Sequence, residues 1–191
     1  MHGHGLQLKD YQTREMAMNK TEVKAKINEL LPTTGQDEYG QYEIGSEGQR
    51  KAATLVESAY NADVISDNMI PHLLLALKDI QVRDYAMGII NAKEDSARLF
   101  YEFLTKKAPV KYSAAPNTLL ALIYYEKHEN GKANEVLAPA LAQGYSLARL
   151  LNRVFQTNWP AGAFNKMREE LHPKVKAGIF GEEADDNSNQ A

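Results

Sequence analysis

The stretch Ala114-Ala115-Pro116-Asn117-Thr118-Leu119-Leu120-Ala121-Leu122-Ile123-Tyr124-Tyr125-Glu126-Lys127-His128-Glu129-Asn130-Gly131-Lys132-Ala133-Asn134-Glu135-Val136-Leu137-Ala138-Pro139-Ala140-Leu141-Ala142-Gln143-Gly144 decides the reading of this chain. Apolar residues recur at helical spacing on both sides of Asn130-Gly131. The stretch therefore predicts helices at about Ala114–Lys127 and Lys132–Gln143, joined by a short connection. Gly131 and Gly144 suit left-handed positions at helix ends.

Working outward, Ser146–Gln156 predicts the next helix. A last one runs from Pro160 to Leu171, started by Pro at its first position and stopped by Pro173. Upstream, Ala97, Phe100, Phe103 and Leu104 form the inward face of a helix that Asn91 can cap, with Lys106 and Lys107 in its last turn. Asp79 can cap a helix carrying Val82, Tyr85, Ala86, Ile89 and Ile90. Met69, Ile70, Leu73, Leu74 and Leu77 make an apolar stripe, with Pro71 in its first turn. Ser46-Glu47-Gly48-Gln49 has capping-box spacing before a helix reaching about Tyr60 that buries Ala52, Leu55, Val56 and Ala59. Thr21 can cap a helix to Leu31, where Pro32 ends it. No run alternates with period two between turn signals. The chain reads as all-α, an antiparallel helical-hairpin bundle.

Composition narrows function. The chain has 191 residues, 43% of them hydrophobic, which suffices for a core and excludes full disorder. It has no Cys, so disulfides, thiolate metal sites and cysteine nucleophiles are excluded. No apolar run reaches the roughly 18 residues of a membrane span, and the N-terminus lacks the basic and apolar regions of a secretory signal. Residues 65–181 hold 15 Lys and Arg against 11 Asp and Glu, whereas 182–191 hold four carboxylates and no cation. The organisation reads as a flexible leader over 1–20, N-terminal helices with a Gly/Tyr loop over 21–64, a compact helical domain over 65–178, and a disordered acidic tail over 179–191.

Two resemblances follow from these residues. Leu120, Ala121, Tyr124, Ala133, Leu137 and Ala140 succeed one another at spacings of 1, 3, 9, 4 and 3. That pattern resembles one tetratricopeptide-like hairpin, in which small residues allow close approach and Leu and Tyr fill the groove. Any tight pair of helices would share it. Tyr145 stands where that repeat usually has Pro, and no second copy follows at its roughly 34-residue period. The second is carried by Val82-Arg83-Asp84-Tyr85, Ala114-Ala115-Pro116, Leu119-Leu120-Ala121, Gly131, Ala133-Asn134, Ala140-Leu141 and Gly144-Tyr145-Ser146-Leu147-Ala148-Arg149-Leu150-Leu151. From Val82 to about Phe164 the chain resembles the C-terminal helical part of the actinobacterial domain of unknown function (DUF) family 4192. The resemblance implies a cytoplasmic protein, a stand-alone helical portion that is phage- or plasmid-encoded. It carries no catalytic residues, because the family has no established activity. Its members usually have an N-terminal half of strand-like apolar segments, which residues 1–60 lack.

No catalytic set, metal site or cofactor motif is assembled in the sequence. Glu169 and His172 share a helix face at i, i+3, a spacing used in di-iron bundles, but the required second copy is missing. His2 and His4 read as part of a passive leader. The candidate partner-binding residues are Arg83, Tyr124, Tyr145, Arg149, Arg153 and Trp159. Arg83 beside Asp84 reads either as a ligand-facing cation or as a bridge to a neighbouring element. Arg149 and Arg153 at i, i+4, with Lys166, Arg168, Lys174 and Lys176, form a basic face for an acidic partner or nucleic acid, or a solvated surface. Trp159 reads as a partner anchor or as a staple of the last helix with Phe155 and Phe164. The leading expectation is a non-enzymatic protein-interaction or accessory module. Its alternatives are a nucleic-acid-associated regulator using the basic face, and an enzyme assembled from Arg83, Glu126, His128 and Glu129.

Overall fold

The computed structural model describes residues 18–34 and 44–181. Among them every regular element is helical: α1 (Lys20–Thr34), α2 (Gly45–Asn61), α3 (Met69–Ala76), α4 (Ile80–Ile89), α5 (Asp95–Lys107), a 3-10 turn at Val110–Tyr112, α6 (Ala114–Glu126), α7 (Asn130–Ala142), α8 (Ser146–Gln156) and α9 (Ala161–Phe180). The leader up to residue 17, most of the Gly/Tyr loop, and residues 182–191 of the expected tail lie outside the described residues.

α6 is the centre of the core. Only Asn117 and Glu126 in it are not buried. It packs on α5, α7, α8 and α9. Leu120, Ala121, Tyr124, Ala133, Leu137 and Ala140 are all buried. The core extends through Phe100 and Leu104 of α5 to Val82 and Ala86 of α4 and to Val56 and Ala59 of α2. α1 lays Val23 and Ile27 against Ile70, Leu74 and Leu75 of α3, and against Ala108 and Tyr112.

Several ends differ from expectation, each for a local reason. Asn19, not Thr21, caps α1. Its Oδ1 accepts from the Thr21 and Glu22 amides, and Glu22 accepts from the Asn19 amide, a reciprocal capping box. α1 also continues past Pro32 to Thr34. The expected capping box at Ser46 does not form. Ile44 precedes α2 without a side-chain bond, and Gln49 donates instead to the Asp79 carboxylate. α2 is also turned, burying Ala53 and Tyr60 while Ala52 and Leu55 are half-buried. Asn91 caps a turn, accepting from the Lys93 amide, and α5 starts only at Asp95. Gly131 lies inside α7, and the left-handed residue before it is His128 at φ 61°. Gly144 is left-handed as expected, at φ 71°.

The last helix differs most. Pro173 does not stop α9, which runs to Phe180, so residues 179 and 180 of the expected tail are helical. Proline costs an amide bond and crowds the preceding turn. Tertiary contacts outweigh that here. Ile179 is buried with Ala53 and Tyr85, and Arg50 Nε donates to the Ile179 carbonyl at 3.0 Å.

Candidate functional site

Arg168 on α9 organises the junction of α4, α6 and α9. Its Nε donates to Glu126 Oε1 at 3.0 Å and its Nη2 to Glu126 Oε2 at 2.9 Å. Its Nη1 donates to the Met87 carbonyl at 2.7 Å and more distantly to that of Gly88. Asn165 also donates to Glu126 Oε2. Arg168 is 1% exposed. It is therefore no part of a basic face, which corrects the expectation for it. A planar guanidinium engages both carboxylate oxygens side by side and still reaches the carbonyls at the end of α4, a fork geometry that the single nitrogen of an ammonium does not offer.

Beside this pair lies a cleft of about 760 Å³, lined among others by Lys93, Glu126, His128, Gly162, Asn165 and Glu169. It brings together Glu126 and His128 of the enzyme alternative. Arg83 is not in its lining, and Glu129 pairs with Lys132 at 2.5 Å. Both Glu126 oxygens already accept bonds from α9. Among the described residues no group of three or more His, Asp and Glu is placed to hold a metal ion.

Arg83 and Tyr145 meet. Arg83 Nη1 donates to the Tyr145 hydroxyl at 3.4 Å, and its guanidinium lies 5.7 Å from the ring centroid. Its Nε and Nη2 donate to Asp84 Oδ1 at 2.9 and 2.6 Å. Arg83 is buried and bridges α4 to the turn before α8. Burial raises the Tyr145 pKa and the Arg83 charge opposes that rise. Tyr124 is elsewhere. Its hydroxyl donates to Glu102 Oε1 at 2.5 Å on α5, and Lys132 lies 5.4 Å from its ring. Burial, with Glu102, pushes its pKa up to about 12, so it stays a neutral donor. Trp159 follows α8. Its ring meets Phe164 edge-on at 6.1 Å, and its carbonyl accepts from the Tyr125 hydroxyl. Phe155 stacks on Tyr125 rather than on Trp159.

The outer face of α8 is built differently. Leu147, Ala148, Leu151, Val154 and Phe155 turn inward. Arg149, Leu150 and Arg153 turn outward, with Leu150 53% exposed. Neither arginine pairs with a carboxylate among the described residues. Arg149 lies over Gly144, where a Cβ would come within 3.1 Å of its Nη2. Trp159, 39% exposed, stands beyond the end of this helix. Leu150 is the member of the face that the sequence reading missed. Its place beside Arg149, three residues before Arg153, was the available signal.

A family model for a domain of unknown function, DUF4192, matches residues 5–161. The chain belongs to that family. The match starts well before Val82, so membership covers the N-terminal helices and is not confined to the C-terminal helical part. The N-terminal region that falls under it folds as α1 and α2 among the described residues. Curated proteins and solved structures yielded no match. No described helix is long and apolar enough to cross a membrane.

Proposed function

We propose that the chain is a non-enzymatic interaction or accessory module of the cytoplasm that docks a partner protein on the outer face of α8 and at Trp159. One observation carries this reading. Arg149 and Arg153 flank exposed Leu150 without a carboxylate partner among the described residues, whereas Arg83, Tyr124 and Glu126 spend their polar groups inside the fold. A cation without a partner inside the fold can meet a carboxylate without first breaking an internal ion pair, and an exposed Leu and Trp add apolar contact. The tetratricopeptide-like, antiparallel reading of α6 and α7 supports it, since such a hairpin is a rigid platform for an adjoining helix. The test is affinity capture from the native host with the unaltered chain beside Arg149→Glu/Arg153→Glu and Trp159→Ala. A partner retained by the first and lost by both variants is expected. Identical capture by all three overturns the reading.

Nucleic acid is the second reading, because Lys166, Lys174 and Lys176 are exposed on α9. Filter binding across a salt series decides it: phosphate contacts give a steep negative slope.

A further inference from the structure

Lys78 sits in the connection between α3 and α4, and Lys111 in the 3-10 turn between α5 and α6. The fold brings them to one aromatic ring. Lys78 Nζ lies 5.4 Å and Lys111 Nζ 5.9 Å from the Tyr112 centroid. The ring's negative face attracts each ammonium, but two like charges then share it. Neither lysine has a carboxylate at ion-pair distance among the described residues. The neighbouring Asp79 is buried and spent: it accepts from the Gln81 and Val82 amides and from Gln49. Burial and the Lys111 charge push the Lys78 amine below its ordinary pKa, as expected where positive charge is uncompensated.

Two aliphatic residues close to these lysines in the chain stand exposed. Val110 is 75% exposed and Ile80 is 61% exposed. The turn is also tied to the corner before α8, since Gln143 Nε2 donates to Ser113 Oγ at 3.1 Å and Gly144 beyond it touches Arg149. A chain of contacts thus joins Lys78 and Lys111 to the α8 face.

We propose that this end of the bundle binds an acidic polypeptide segment with aliphatic residues among its carboxylates. The carboxylates meet Lys78 and Lys111, and the aliphatic side chains meet Val110 and Ile80. The proposal goes beyond the α8 reading, adding a second contact and the chemistry of the partner. Charge complementarity favours a peptide over the alternatives. Basic clusters that hold anionic lipid have roughly 4–8 Lys or Arg, and nucleic-acid sites neutralise several phosphates. Here there are only two ammoniums, and the residues near them in the chain include two exposed aliphatic side chains, which suits a peptide that carries both carboxylates and aliphatic residues.

The test is fluorescence anisotropy with a labelled peptide of repeating Asp-Glu-Leu units and the full chain. Saturable binding that weakens with salt is expected. Lys78→Glu/Lys111→Glu should weaken it about tenfold, and Lys78→Gln/Lys111→Gln by a smaller factor. The Gln pair leaves the exposed surface free of new charge and guards against a folding defect. No peptide binding, or equal binding by both lysine pairs, overturns the proposal. So does capture on phosphatidylserine vesicles through these lysines without peptide binding. Loss with Arg149→Glu/Arg153→Glu but not with the lysine pairs overturns this proposal and leaves the α8 reading standing. Loss with the lysine pairs but not with Arg149→Glu/Arg153→Glu supports this proposal and leaves the α8 reading to its own capture test.

Discussion

Two side chains show how a buried polar atom is judged by its partners. The side chains of Arg168 and Glu126 are both hidden from water, at 0% and 4% exposure, and each of the three guanidinium nitrogens donates while both carboxylate oxygens accept. Removing one partner leaves the other charge buried and alone. Glu126→Leu or Arg168→Met should each cost about 3–5 kcal/mol in urea unfolding, and the double substitution should recover much of that loss. Tyr101 is the opposite case. Its hydroxyl is buried without a hydrogen-bond partner among the described residues. Tyr101→Phe should leave stability unchanged or raise it by about 1 kcal/mol, read from the same unfolding curves. Neither result was legible in the sequence. Arg168 looked like any surface cation of an amphipathic helix, and only the approach of α4 and α6 shows otherwise.

At the scale of elements, α4 and α9 depend on one missing methyl group. A Cβ on Gly88 would lie 1.9 Å from His172 Nδ1 and 2.5 Å from its Cγ. Gly88→Ala should cost about 1–3 kcal/mol, and adding His172→Ala should restore most of it in a double-mutant cycle. His172 also sets a pH dependence. Its Nδ1 is buried without a partner among the described residues. Burial and then Lys176 pull its pKa below the ordinary 6.5, with Glu57 opposing and Arg168 assisting. As pH falls below about 6.5 the unfolded chain takes up a proton that the folded chain refuses, so stability falls from there downward. His172→Gln should flatten that part of a plot of Tm against pH. The end of α9 teaches a related lesson. Pro173 reads locally as a stop, and the pull of Ile179 into the groove beside Tyr85 and Ala53 is invisible in local sequence.

Across the whole molecule, order should grade from α6 outward. α6 is enclosed by four helices, while α1 rests mainly on α3. In native-state hydrogen exchange the α1 amides should exchange at least about tenfold faster than those of α6. Comparable protection in the two helices would contradict this arrangement.

What the amino-acid order determined by itself was the number and places of most helices. Helical period, the Asp79 cap and the breaks near Ala108 and Gly144 act over a few neighbouring residues, so each is complete within a short window. The buried hairpin residues from Leu120 to Ala140 were legible for the same reason. Tertiary structure alone decided which charges remain free. Arg83, Arg149, Arg153 and Arg168 look alike in sequence, but two are consumed by Asp84, Tyr145 and Glu126, and two face outward. It also decided that Lys78 and Lys111, far apart in the chain, share one ring. Charge pairing depends on distance through space, and no local pattern encodes which helix will supply the opposite charge.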